Sequence, residues 1–527
     1  MDQRTVAPTA PVTLPRDYNA ATHFIDRHLK EGRGGKTAFI DDRGSYTYAE
    51  LASRVNRAGN VLKSLGVGME QRVLLCLLDT IDFPALFWGA IKIGAVPVPV
   101  NTLLTPADYD YMLRDSRAQV LVVSDALAEK FRGIRVGQPH LRTVLVAGAG
   151  AGTGGLGGYG NFNAQSAAAS DYLEPAATTR DDIGFWLYSS GSTGAPKGAV
   201  HLQSDLVQTA VLYGEGVLGI KETDVVYSAA KLFFAYGLGN AMSFPLHVGA
   251  TAVLLAERPT PESVLRTLHR HRPHIFYGVP TLYAMILADP AVDRGKGSDR
   301  LRICVSAGEA LPQDVAHRWV ERFGTDILDG IGSTEMLHIF VSNLPGDIRY
   351  GTTGKPVPGY QARIVDEAGH EVGVDEVGEL LVAGPSSATC YWNNRAKTLA
   401  TFQGAWTRTG DKYTRDADGY YRYAGRADDM LKVGGIWVSP FEVESALAAH
   451  PQVLEAAVVG MADADGLIKP KAYIVVKPGI AASGELAEAL KAFVKDRLAS
   501  YKYPRWIEFV AELPKTATGK IQRFKLR

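Results

Sequence analysis

Residues 73–100 read VLLCLLDTIDFPALFWGAIKIGAVPVPV, the most apolar stretch of the chain, and they leave few folds open. A run of this length could cross a bilayer, but Asp79, Asp82, Pro84 and Lys92 interrupt it too often for a membrane span. What remains is a strand at RVLLCLL (72–78), a helix at FPALFWGAIKI (83–93) and a second strand at AVPVPV (95–100). The flanking chain repeats the alternation. Thr47 followed by Glu50 is a capping box that opens a helix with Leu51, Val55, Val61 and Leu62 among its apolar positions. Thr105-Pro106 starts another helix, and QVLVVSD (119–125) returns as a strand. Strands alternating with helices predict an α/β fold, with parallel sheets covered by helices on both faces.

With 527 residues the chain has room for two or three domains with sizeable cores. A second α/β-like section covers about 225–345. From about 350 to 424 the pattern changes to short strands and turns, including GELLVAG (378–384) and DADGYYRYAGR (416–426), whose Asp-Gly pair predicts a hairpin turn. Beyond GRADDMLKVGG (425–435), FEVESALAAH predicts a helix, EAAVVG and KAYIVVK strands, and ELAEALKAFVKDRLAS a long helix. A polar, glycine-flanked segment between self-contained sections is where a hinge belongs. The glycine-rich run at 147–170 reads as a flexible excursion with no catalytic role.

Composition narrows the partners. Lys+Arg and Asp+Glu are both 56, so nothing favours a nucleic acid or a charged membrane surface. Cys76, Cys304 and Cys390 are too few and too far apart for a disulfide framework, and they read as buried thiols in a reducing cytosol. The opening residues MDQRTVAPTAPVTLPRDYNA have no apolar core, so a cytoplasmic protein without a secretory signal is expected.

The chemistry concentrates in loops. YSSGSTGAPKGAVH (188–201) follows a short apolar strand at FWLY (185–188). Gly191, Gly194 and Gly198 let the backbone approach an anion closely. Ser189, Ser190, Ser192 and Thr193 add hydroxyl donors, and Lys197 adds a positive charge. A P-loop counted from Gly191 would need glycine at 196 and Ser or Thr at 198, where this chain has Pro196 and Gly198. This is a phosphate-holding loop of another kind. SAGEAL (306–311) and DGIGSTEM (329–336) each follow an apolar strand, and in parallel sheets the loops at carboxyl strand ends bind ligands. Glu335 offers a carboxylate suited to Mg²⁺, and Asp411 in TRTGD offers one suited to ribose hydroxyls. PKTATGK (514–520) ends on Lys520. Taken singly, Glu335 also reads as a surface acid, Asp411 as a turn former and Lys520 as a solvated lysine.

In this order, YSSGSTGAPKGAVH, GSTE (332–335), TGD (409–411), GRADDMLKVGG and PKTATGK resemble the motifs of the adenylate-forming superfamily over nearly the whole chain. Within it, KLFFAYGLGN (231–240) and GIGSTEMLHIFVSN (330–343) are similar to stretches of benzoate–CoA ligases and their close relatives. The resemblance implies a large N-terminal domain (1–427) of parallel α/β subdomains with a small β-barrel-like part. A small mobile α+β C-terminal domain (428–527) would follow, hinged near Asp428. It also implies an ATP-dependent ligase that joins an aromatic acid to coenzyme A through an acyl-AMP, with Mg²⁺ required and a homodimer allowed. Thr193 and Lys197 would meet the β- and γ-phosphates beside Ser189, Ser190, Gly191, Ser192 and Gly194, and Glu335 would hold Mg²⁺. Gly308, Glu309, Asp329, Gly330, Thr334, Asp411 and Arg426 would contact the nucleotide. Lys520 would be the catalytic lysine, and Lys432, Gly434 and Gly435 would border the arm of coenzyme A.

The acid pocket implied by the resemblance is Phe234, Ala235, Tyr236, Gly237, Ala307, Gly330, Ile331 and His338. Flat walls with small residues between them suit an aryl ring, and Ala235 stands where amino-acid-activating relatives carry an Asp. The pocket separates benzoate poorly from 4-hydroxybenzoate, 2-aminobenzoate or a medium-chain acid. An adenylation enzyme serving a carrier protein, a nucleotide-binding regulator and a luciferase-like oxygenase are the readings of other kinds. A pure binder has no use for both Lys520 and Glu335.

Overall fold

The protein is described by a computed structural model over residues 10–134, 138–148, 158–189, 195–426, 429–433, 436–463, 467–499, 501–515 and 521–527, without the side chains of Lys432, Ile436 and Trp437. The opening apolar run folds as its pattern predicts, into strand Arg72–Cys76, helix Asp82–Lys92 and strand Val96–Pro99. With Val120–Ser124, Thr143–Ala147 and Gly160–Asn161 these strands make an all-parallel sheet. The capping boxes at Thr47/Glu50 and Thr105/Asp108 form as expected and open helices Tyr48–Ser64 and Pro106–Ser116. Helix Tyr48–Ser64 lies against Asp82–Lys92 at backbone distance: a Cβ on Gly89 would stand 2.8 Å from the Gly59 nitrogen and 2.9 Å from the Val55 oxygen. Only glycine permits that crossing.

A second sheet has nine strands among the described residues. Its centre is parallel, in the order Ile327–Gly332, Ile303–Ala307, Ile275–Gly278, Val225–Ser228, Thr251–Val253, Thr37–Asp41. Antiparallel strands close both edges. Strands Ile183–Ser189 and Lys197–Leu202 form an antiparallel hairpin, joined by Cys390–Tyr391. Where the sequence predicts a small β-barrel-like part, Gln361–Val365, Gly378–Ala383, Phe402–Gln403, Trp406–Arg415 and Tyr421–Arg426 form an antiparallel sheet. The Asp-Gly turn lies in the loop joining its last two strands. Asp416 and Tyr420 pair across that loop, and Gly419 takes φ +83°, the left-handed region.

The last section has its own core, built on Val453–Ala462, Ile468–Val476 and Trp506–Phe509 with helices Pro440–Ala448 and Gly484–Arg497. Among the described residues no helix is long and apolar enough to cross a membrane.

Two expectations need correction. The run at 147–170 is not an excursion throughout: its second half forms strand Gly160–Asn161 and helix Phe162–Ala168, capped by the Asn161 side chain. Phe162 is buried, and Arg57 and Asn60 bond backbone oxygens at 166, 167, 170 and 172. One buried ring and four carbonyls accepting from a neighbouring helix are enough to order a segment of poor local propensity. Cys76 and Cys304 are buried as expected, but Cys390 is only half-buried, because strand Cys390–Tyr391 turns its tyrosine inward.

Candidate active site

The site is built at the carboxyl ends of strands Ile303–Ala307 and Ile327–Gly332. Their parallel register pairs Ser306 with Asp329 and Ala307 with Gly330, so SAGEAL and DGIGSTEM emerge side by side. Gly308 makes the exit turn at φ +96°, a conformation costly for any residue with a Cβ. The Glu309 carboxylate accepts a hydrogen bond from Thr281 at 3.2 Å. Asp329 is buried, and burial pushes its carboxyl well above the ordinary range.

Segment 330–338 runs along the cleft and is fastened from behind. The Thr334 carbonyl accepts from His201 Nε2 at 2.8 Å, the Glu335 carbonyl from the Ala388 amide at 2.7 Å, and the Met336 carbonyl from the Ser386 hydroxyl at 2.8 Å. His201 is held in turn by Asp205 at 2.9 Å, and both side chains are buried. The histidine that ends the phosphate-loop motif thus ties that hairpin to the GSTE loop.

Glu335 faces the phosphate hairpin. Its Oε1 accepts a 2.7 Å hydrogen bond from the Tyr391 phenol, and Lys197 Nζ stands 4.8 Å above the Tyr391 ring. Burial lowers the Lys197 ammonium from its ordinary value, while Glu335 pulls it upward. Arg426 completes the polar wall. Its Nη1 donates to Asp411 Oδ1 at 3.0 Å and to the Thr409 carbonyl at 3.2 Å, and Asp411 raises the guanidinium further above its usual value. The structure therefore brings Lys197, Glu335, Asp411 and Arg426 into one region, with Thr334 next to Glu335 in the chain. Ser189 pairs with Lys197 across the hairpin, and its hydroxyl is buried with no partner among the described residues.

Of the residues assigned to the acid pocket, Tyr236 and His338 are in contact, and Ala307 and Gly330 are neighbours on the sheet. Phe234 precedes the short helix Ala235–Leu238, and Tyr236 packs 5.6 Å from His338 between ring centroids. The Tyr236 hydroxyl is spent on the Gly278 and Val305 carbonyls at 3.3 and 3.1 Å, which anchors its ring on the sheet. His338 Nε2 meets Asn240 Oδ1 at 3.0 Å, and burial pushes its imidazole down to about 3, so it is neutral at physiological pH. Gly237 folds against the Lys231 carbonyl, 2.1 Å from where its Cβ would stand. Ala307 and Gly330 are register partners on adjacent strands, with Ile331 following.

Ser190, Gly191, Ser192, Thr193, Gly194, Asp428, Gly434, Gly435 and Lys520 lie outside the described residues, as does the side chain of Lys432. The sequence reading missed Tyr391 and the His201–Asp205 pair. The i,i+4 spacing of the latter was an available signal. Tyr391 had none, since its contact with Glu335 spans 56 residues.

The chain matches the family model described as AMP-binding enzyme over residues 26–392 and that of the AMP-binding enzyme C-terminal domain over 442–520. It is 62% identical over 518 residues to a benzoate–CoA ligase of Thauera aromatica, covering 98% of this chain and 97% of that protein. Among solved structures it is similar to a benzoate CoA ligase from Burkholderia xenovorans LB400, at 54% identity and a TM-score of 0.90, covering 97% of this chain and all of that one. It is also similar to the anthranilate CoA ligase AuaEII in complex with anthranoyl-AMP, at 47% identity and a TM-score of 0.93, covering 98% and 97% of the two chains.

Proposed function

Because the chain belongs to the AMP-binding enzyme family, we propose that it joins benzoate to coenzyme A through benzoyl-AMP. The reaction class is that of an AMP-forming aryl-CoA ligase. In the first half-reaction the carboxylate oxygen attacks the α-phosphorus of ATP and the bond to pyrophosphate breaks. In the second, the thiolate of coenzyme A attacks the acyl carbon and the bond to AMP breaks. Such chemistry asks the protein for positioning and charge neutralisation more than for covalent help.

Each described residue has a task in that scheme. Lys197, with Ser189 and the 190–194 loop, would neutralise the outer phosphates. Asp411 would accept hydrogen bonds from the ribose hydroxyls, steadied by Arg426, while Gly308, Glu309, Asp329, Gly330 and Thr334 would border the nucleoside. Phe234–Gly237, Ala307, Ile331 and His338 would enclose the ring and exclude water. A neutral His338 leaves the pocket without a buried charge beside an apolar ring.

Among the described residues no group of three metal-ligating side chains exists, and Glu335, close to Lys197, is the carboxylate that would hold Mg²⁺. That donor set suits Mg²⁺, which prefers one or two carboxylates, water and substrate phosphates over an all-protein cage. When bound, the cation would neutralise phosphate charge. Lys520 would bridge the carboxylate and α-phosphate oxygens, and rotation about Asp428 of residues 428–527 against 1–427 would exchange it for Lys432, Gly434 and Gly435 along the thiol arm. The buried thiols of Cys76 and Cys304 suit a reducing cytoplasm.

The observation that carries this reading is the course of segment 330–338. It runs from Gly330 and Ile331 through Thr334 and Glu335 to His338, with Glu335 bonded to Tyr391 beside Lys197 and His338 packed on Tyr236, so acid and nucleotide would meet along one strand end. A second acid, 2-aminobenzoate, is favoured by the likeness to the anthranilate ligase. The test is a product assay with Mg-ATP, coenzyme A and a panel of benzoate, 4-hydroxybenzoate, 2-aminobenzoate, cyclohexanecarboxylate and hexanoate. AMP, pyrophosphate and benzoyl-CoA, with benzoate preferred, are expected. AMP with another favoured acid would replace benzoate, and ADP or acid-independent turnover would overturn the reaction.

A further inference from the structure

The segment assigned to the wall of the acid pocket is held in place by an ion pair between the buried Asp79 and the half-buried Lys231, outside the machinery described above. Asp79 follows strand Arg72–Cys76 in the first sheet and is only 3% exposed. Its carboxylate accepts from the Leu232 amide, in the loop that follows strand Val225–Ser228 of the nine-stranded sheet, at 3.2 Å to Oδ1 and 3.4 Å to Oδ2. Lys231 Nζ lies 4.0 Å from Oδ2 and donates to the Leu255 and Glu257 carbonyls, the latter at 2.7 Å. The Asp79 loop is itself fixed, because the Ile81 amide donates to Asp41 at 2.9 Å and Arg43 donates to Asp82 at 2.7 Å.

Consequences for the pocket follow from the turn that begins at Lys231. The Phe234 amide donates to the Lys231 carbonyl at 3.0 Å, and Gly237 presses against that same carbonyl. The wall Phe234–Gly237 therefore takes its position from residues 231–232 at one end and from the Tyr236 phenol on the sheet at the other. An ion pair is a costly way to fill a core site. Burial raises the Asp79 carboxyl to about 6 and lowers the Lys231 ammonium, and an apolar pair of equal volume often matches or exceeds such a pair in stability. Its return is direction: the carboxylate fixes one backbone amide, and the ammonium fixes two carbonyls, where apolar packing would allow sliding.

We propose that Asp79 and Lys231 are positioning residues for acid specificity, which hold the Phe234–Gly237 wall at the distance from Ala307 and Gly330 that admits a planar ring. This rests on the aryl-acid reading of the pocket. Neither side chain touches substrate; both act through the backbone of the wall.

The test compares wild type, Asp79→Ala, Asp79→Asn and Lys231→Met as full-length enzymes in acid-dependent AMP release. Asp79→Ala is expected to raise KM for benzoate tenfold or more and to lower the preference for benzoate over cyclohexanecarboxylate at least fivefold. KM for ATP and for coenzyme A should stay within threefold. Asp79→Asn keeps an acceptor for the Leu232 amide and should recover most of the selectivity, and Lys231→Met should fall between the two. If Asp79→Ala does not fold, the milder pair decides the matter through the same acid ratios. Unchanged selectivity in folded variants overturns the proposal, as does an equal loss for every substrate, which would mark a purely structural pair. A wild type that makes no acid-dependent AMP would instead overturn the underlying function.

Discussion

Tyr391→Phe isolates one hydrogen bond to Glu335, the carboxylate proposed to hold Mg²⁺. The substitution removes the phenol that donates to Glu335 Oε1 at 2.7 Å and leaves the ring beneath Lys197. Hydrogen bonds to ionised groups contribute about 1.5–3 kcal/mol net. Tyr391 is buried but Glu335 is half-buried, so water can replace the phenol in part, and the loss should sit near the lower limit. About 1.5 kcal/mol corresponds to roughly a tenfold change in rate or affinity. If Tyr391 aligns Glu335 towards Mg-ATP, kcat/KM for Mg-ATP in benzoate-dependent pyrophosphate exchange falls about tenfold. The Mg²⁺ concentration needed for half-maximal thermal stabilisation by ATP rises by a similar factor. Thioester formation from supplied benzoyl-AMP should change less than twofold, because Glu335 has no task there. Unchanged pyrophosphate exchange, or an equal fall in both half-reactions, would refute the reasoning.

Lys520→Ala should abolish adenylate formation and leave thioester formation from supplied benzoyl-AMP largely intact; unimpaired pyrophosphate exchange would remove the role assigned to Lys520. Ala235→Asp introduces a charge at a buried wall position with no partner expected, and unpaired buried carboxylates are costly. KM for benzoate should rise by roughly 100-fold or more, and unchanged kinetics would mean that the ring binds elsewhere. His338 binds its proton near pH 3 when folded against 6.5 when unfolded, so between these values the unfolded chain holds more protons. Its contribution to stability is complete above pH 6.5 and is lost as pH falls towards 3, by up to about 1.4 kcal/mol per pH unit. Denaturant titrations of wild type should therefore show a steeper acid-side slope than His338→Gln; parallel slopes would mean that His338 is protonated in the fold.

Much of the scaffold is legible residue by residue. The broken apolar run at 73–100, the Thr47/Glu50 box and the Thr105-Pro106 start each specify an element through neighbours a few positions away, and each forms where expected. Helix Phe162–Ala168 was not legible, because its order comes from Arg57 and Asn60 on another helix and from the burial of Phe162. The reactive residue types were legible as motifs, but their support was not. Nothing near Glu335 announces Tyr391, nothing near Leu232 announces Asp79, and nothing near Asp329 announces that its side chain is buried.

Turns, caps and periodicity depend on contacts within a few residues, so the alternation of strands and helices and the residue types offered by each loop could be read from the chain alone. Only the tertiary structure decided which of these groups meet. Parallel register sets Ala307 beside Gly330, the phosphate hairpin brings Tyr391 to Glu335, and two sheets clamp residues 231–232 between them. Those pairings span 23 to 153 residues, and they form because buried strand ends must share hydrogen bonds wherever the sheets bring them together.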